Sequence, residues 1–412
     1  MPDKELLEKY AEVALRTGVN IQKDQPLFIM APIDGADFVR LIAKRAYELG
    51  ASEVHINWSD DTLMLLKYEH QSEEVLTDIP DWLVEQRAYY MKKGAALLQI
   101  RSTDPDLLKD VDGNKVAQAT KATAQALQHL RHYTMNDIVP WTIITIPTDA
   151  WAQKIFPGKS AEEATKLLWD SIFKIVRVDR DDPIQAWKEH NATLHNARDV
   201  LNGKRYKKLH FKSEGTDLTI GLPEGHIWKG GSSTTESGTE FNPNMPTEEV
   251  FTMPHKYDVD GTVTSKKPLI YDGNMIDNFT LTFKEGKVVD YKAEVGQETL
   301  KHLLETDEGA LRLGEVALVP HESPISQSGL IFYNTLYDEN ASCHVALGKA
   351  YPTTLEGGAS MNAEELDKHG VNDSLTHTDF MIGSADLSID GIFADDSSEP
   401  VFRDGSWAIK FD

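Results

Sequence analysis

The strongest constraint on the fold is a change in hydrophobic period near residue 200. Before that point strand and helix signals alternate. "QPLFIMAP" (25–32) is a short apolar run, "GADFVRLIAKRAYELG" (35–50) carries a helical stripe closed by Gly50, and "SEVHINWSD" (52–60) again reads as strand. Strand, crossover helix and strand at this spacing make a βαβ unit, so the sheet is predicted to be parallel. The pattern continues through "AALLQIRST", a long helix around Val116 to Tyr133, and "WTIITIP". Asp3 can cap the first helix, and Ser160 with Glu163 forms a capping box that opens another. A helix over 183–204 is read to stop at Asn202–Gly203. Beyond it the period is two: "KLHFKSEGTDLTIGLP", "DNFTLTFKEGKVVDYKAE" and "LSIDGIFADD" read as antiparallel hairpins with glycine-containing turns, interrupted by the helix "QETLKHLLE". The expectation is an α/β N-terminal domain over 1–200 with a mostly parallel sheet. A predominantly antiparallel β (α+β) domain over 201–412 follows.

Charge narrows the function classes. Lys plus Arg is 42 and Asp plus Glu is 66, a formal net charge of −24. Nucleic acid and anionic membrane surfaces both need cationic side chains, so neither is an expected partner. The basic run Lys204, Arg205, Lys207 and Lys208 reads as a solvated turn. The single cysteine, Cys343, rules out a disulfide within the chain and any thiolate-only zinc or iron–sulfur site. The first residues lack the apolar core of a signal peptide, and no run approaches the ~18 apolar residues of a membrane span. A cytoplasmic protein is expected.

Several chemistries lack their motifs. There is no Gly-x-Ser-x-Gly elbow and no contiguous Gly-x-Gly-x-x-Gly. His321-Glu322 begins like a zincin helix, but position 325 is Ile. Gly158-Lys159-Ser160 ends like a P-loop, but Gln153 occupies the first glycine position.

Four segments of the second half place acids and histidines on strand-like backbone. In "MPTEEVFT", Glu249 shares a face with Thr247 and Phe251, and Glu248 faces the other way; both acids could simply be solvated. In "LRLGEVALVP", Glu315 shares a face with Leu313, Ala317 and Val319, where a carboxylate is costly unless paired, metal-bound or at an edge reaching water. In "LYDENASCHVALG", His344 lies with Ser342 and Ala346, while Cys343, Val345 and Leu347 point the opposite way, into a core. Asp338 and Asn340 read as turn or cap residues, and Glu339 is less easily explained so. Tyr351, seven residues after His344, could be returned to the same site by a turn. In "SLTHTDFMIG", His377 and Asp379 are two apart and can chelate one ion. The set supplies oxygen and imidazole donors, which suits Zn, Co, Mn or Mg. Two divalent ions would balance four carboxylates, and such a pair can activate water and polarise an amide carbonyl.

These segments, in this order, resemble the aminopeptidase T / aminopeptidase S (PepS) family of two-metal aminopeptidases. The spacings fit: 66 residues from Glu249 to Glu315, 29 from Glu315 to His344, and 7 from His344 to Tyr351. The resemblance runs the length of the chain. It implies that Glu249, Glu315, His344, His377 and Asp379 are metal ligands, with Glu339 a further ligand or a base. It implies that Tyr351 stabilises the oxyanion, that Glu315 is shared by two ions, and that the protein is a homodimer. The expected function is removal of single residues from peptides with a free amino terminus. A nucleotide-dependent α/β enzyme and a non-catalytic metal-binding or scaffold protein are the alternatives.

Overall fold

The computed structural model describes residues 2–102 and 104–411. The chain forms two compact units, one of residues 1–192 with 232–247, the other of 193–231 with 248–412.

The first unit holds the parallel sheet that the βαβ pattern predicts. Its four strands run in the order Glu53–Ser59, Pro26–Pro32, Ala96–Arg101, Trp141–Thr145, all parallel. Helix Lys4–Val13 starts where the Asp3 side chain accepts from Glu5 N. Its Tyr10 stacks on Phe38 of helix Ala36–Glu48 and meets Phe173 of helix Ala161–Ile175 edge-on. Ser160 caps that last helix by accepting from Glu163 N. Three helices that the apolar pattern does not announce, Asp61–His70, Glu73–Thr77 and Asp81–Lys92, lie between the second and third strands in sequence. Among the described residues no helix is long and apolar enough to cross a membrane.

The second unit is antiparallel throughout its two large sheets. One has nine strands and includes the predicted hairpins Lys208–Ser213/Thr216–Gly221 and Asn274–Lys284/Lys287–Val295. Helix Gln297–Leu304 interrupts the strands as expected. Helix Pro183–Lys204 runs past Asn202–Gly203 to Lys204, and Arg205 at φ 53° ends it. In the basic run, Lys204, Arg205 and Lys208 pair with Glu399, Glu356 and Asp258 rather than lying free in solvent.

The smaller sheet has the order His377–Met381, His344–Gly348, Leu313–Leu318, Val250–Thr252, Lys229–Gly230. One face carries Val316, Leu318, Val345, Leu347 and Phe380 into a core shared with Phe211, Leu218 and Ile220 of the larger sheet. Cys343 belongs to that core, as alternation predicts. Leu313 does too, which departs from the simple period. Pairing shifts between Leu313↔Leu347 and Glu315↔Ala346, so Gly314 is the extra residue of a bulge. The bulge turns Leu313 to the core while Glu315 stays on the opposite face. Gly314 has no room for a side chain, because a Cβ there would lie 2.3 Å from the Gly348 carbonyl oxygen.

Gly314→Ala should therefore lower unfolding stability by about 1–3 kcal/mol or more, the scale of overpacking. Gly203→Ala meets nothing within 4 Å and lies in a helix, so it should be neutral or slightly stabilising. Urea unfolding of both variants, followed by fluorescence, checks the contrast.

Candidate metal centre

The core face of the small sheet is apolar, and its other face is the site. Cross-strand partners share a face, and Glu315, Ala346 and Asp379 lie in one row across three strands. His344 is opposite Ala317, and His377 is opposite Gly348. The acids and imidazoles thus alternate with the smallest residues, Ala317, Ala346 and Gly348, which leave space between them. Glu249 enters just before strand Val250–Thr252, whose Phe251 pairs with Ala317.

Two triads of donor atoms result. Glu249, Glu315 and His344 form one, and Glu315, His377 and Asp379 the other. His344 Nε2 is 2.9 Å from Glu249 Oε2 and 3.5 Å from Glu315 Oε1. His377 Nε2 is 3.8 Å from Glu315 Oε2 and 3.6 Å from Asp379 Oδ1. Glu315 therefore directs one oxygen to each triad.

The imidazoles are oriented from behind. His344 Nδ1 lies 3.1 Å from the Ser342 carbonyl oxygen and His377 Nδ1 2.6 Å from that of Lys349. A carbonyl only accepts, so each Nδ1 carries a proton and each Nε2 is turned to the acids, protonated while the pocket holds no cation and free to ligate one when it gives that proton up. Glu249 Oε2, His344 Nε2 and Asp379 Oδ1 are buried without a hydrogen-bond partner. Polar atoms converging unpaired at these distances, all oxygen or imidazole, fit divalent cations.

The electrostatics point the same way. Burial pushes the Glu315 carboxyl up to about 7, with Asp379 and Glu249 adding and His344 opposing. Glu339 is held well above the usual range by burial and by Asp379 and Glu249. Burial disfavours charge on His377, yet Asp379 and Glu315 hold its pKa at about 10. His344 is likewise buried and likewise raised, by Glu249 and Glu315. Burial and the surrounding carboxylates hold the Tyr351 phenol well above its ordinary value. The pocket is short of positive charge.

The surroundings refine several sequence readings. Glu248 and Glu249 are 7 % and 6 % exposed, so neither is a solvated surface acid, and Glu315 at 5 % does not reach water at an edge. Tyr351 is returned to the site, its ring 5.2 Å from that of His377. Glu339 ends the short helix Thr335–Glu339 beside the triads but belongs to neither. Asp338 accepts from the Phe332 and Asn334 backbone amides, a turn role as expected. Asn340 does more than cap: its Oδ1 accepts from Glu248 N at 2.7 Å and its Nδ2 donates to the Leu336 carbonyl. It ties the Glu339 helix to the strand entrance that carries Glu249. A lone Asn after an acid gives no sequence signal for that tie.

Comparison with known proteins agrees with this geometry. Residues 3–407 match the family described as thermophilic metalloprotease (M29). The chain is 56 % identical to Aminopeptidase 2 of Geobacillus stearothermophilus and 54 % identical to Aminopeptidase AmpS of Bacillus subtilis (strain 168), covering 98 % of each chain in both pairs. Its fold superposes on wild-type AmpT from Thermus thermophilus with a TM-score of 0.91 at 43 % identity, covering 98 % of this chain and 100 % of that one. With matches spanning nearly its whole length and a buried Glu/His centre suited to cations, the chain belongs to the M29 family of thermophilic metalloproteases, as a metal-dependent aminopeptidase.

Proposed function

We propose that the protein removes single residues from the free amino end of peptides, in the cytoplasm, using two divalent ions (Zn, Co, Mn or Mg). Glu249, Glu315 and His344 would hold one ion, and Glu315, His377 and Asp379 the other. The observation that carries this reading is the pair of triads sharing Glu315, one carboxylate oxygen directed to each.

Bound there, the ions would supply Lewis acidity toward the scissile carbonyl and lower the pKa of a water molecule. The chain's own residues do the rest. Tyr351, kept protonated by burial and its acidic neighbours, donates its O–H to the carbonyl oxygen as negative charge develops. Glu339, beside both triads and outside them, would ionise once cations offset its acidic neighbours, and then accept the proton that the attacking water loses and pass it to the leaving amine. His377 and Asp379, with side chains 18 % and 13 % exposed, are more open than His344 at 1 %. Substrate approach from the His377 and Tyr351 side is consistent with that difference. A homodimer is supported by apolar side chains left in solvent on three successive helices of the first unit: Leu63 (57 %), Val75 (55 %) and Trp82 (65 %).

Elemental analysis of active protein should find two divalent ions per chain. Chelation should abolish cleavage of a free-amine peptide, and added metal should restore it. Turnover by metal-free protein would refute the reading. Glu315→Gln and His344→Ala should each remove nearly all activity with the fold retained, whereas Tyr351→Phe should keep the metal and lose roughly a hundredfold in kcat, the scale of one oxyanion donor. Kinetics paired with metal counting separates the two classes. Sedimentation velocity should show a dimer that Trp82→Glu weakens; a wild-type monomer at micromolar concentration would remove the dimer from the reading.

A further inference from the structure

The first unit contains a cavity of about 420 Å³ bounded by helices Asp61–His70, Asp81–Lys92 and Gly113–Leu127 and the turns that follow the last. Its wall includes Arg87, Arg131, Thr120 and Thr123, and its apolar part includes Met91 and Leu127. No acid is among the described residues that line it, in a chain with 66 acids. Arg87 is partly buried and, among the described residues, makes no hydrogen bond, ion pair or ring contact. Burial lowers its pKa and no neighbouring acid opposes that shift. A partly desolvated guanidinium without a partner in the chain gains by pairing with an anion. Arg131, the other cation on the wall, is already engaged.

We propose that this cavity binds a small organic carboxylate with an apolar tail, its head on the Arg87 guanidinium and its tail against Met91 and Leu127. The planar fork of a guanidinium matches the two oxygens of a carboxylate. Among the described residues of the wall Arg87 is the cation left to pair, and one guanidinium fork takes one carboxylate. The volume falls within the range of small-molecule sites, and the mixture of apolar wall with a few polar groups is their usual composition. The ligand class is that of amphipathic monoacids, and the pocket shares no residue with the metal centre.

The test uses metal-loaded enzyme labelled with ¹³C at the methionine methyls, with octanoate as probe and octanol as its uncharged control. The Met91 signal is assigned by Met91→Leu. Octanoate should shift the Met91 methyl saturably, octanol should shift it far less, and Arg87→Gln should weaken octanoate binding about ten- to a hundredfold, as loss of a charged hydrogen bond does. Equal shifts from octanol and octanoate, equal affinity in Arg87→Gln, or no shift of Met91 would each overturn the proposal. So would shifts confined to Met253 and Met381 of the second unit. If Arg87→Gln does not fold, the octanoate–octanol comparison on the unaltered enzyme decides.

Discussion

Repulsion among buried carboxylates organises the second unit. Two like charges 4 Å apart repel by about 4 kcal/mol at an effective dielectric of about 20, against a typical domain stability of about 5–15 kcal/mol. Glu249, Glu315, Glu339 and Asp379 crowd together with two imidazoles and little water. Repulsion is relieved by protons, held by Glu315 and Glu339 as well as by His344 and His377, or by divalent ions in their place. Binding of ions would therefore add to the stability of the sheet.

The sheet meets this requirement through register. Strands Leu313–Leu318 and His344–Gly348 present large apolar residues to the core and Glu315, Ala317, His344 and Ala346 to the site, while Phe251 and Met381 lie on the site face of the strands beside them. A one-residue slip would send Val345 and Leu347 into the acids and His344 into the core, which makes the register self-enforcing. The bulge at Gly314 is the one local exception, and it keeps Glu315 facing the site while Leu313 packs behind it.

Much of this was legible in the sequence because it follows the period of the chain. The parallel sheet, the antiparallel hairpins, the burial of Cys343 and the shared face of His377 and Asp379 all come from periods of 3.6 and 2. Readings failed where period stops governing. Glu248 and Glu249 precede a three-residue strand, too short to reveal their burial by alternation. The Leu313 error came from one inserted residue, whose need for glycine depends on a carbonyl 34 positions away in the next strand. Helices Asp61–His70 and Asp81–Lys92 escaped because their apolar residues do not form a stripe, with Leu63, Met64, Leu66 and Trp82 in solvent. Their caps, Asp60 and the residues around Pro80, were the readable signal. Convergence of the four motifs was beyond spacing alone, since strand order is set by non-local pairings such as Val250 with Leu318 and His344 with Met381.

That long separation has a consequence for the cell that makes the enzyme. The donor atoms come from a segment that opens at Glu249 and closes at Asp379, and neighbouring strands must all pair before the triads exist. Non-local strand pairing is slow and comes late. A partly unfolded chain therefore carries the two triads' residues without the centre that they form together. The centre is assembled only with the last strand pairing, so the topology itself keeps an unfinished chain from acting as a peptidase.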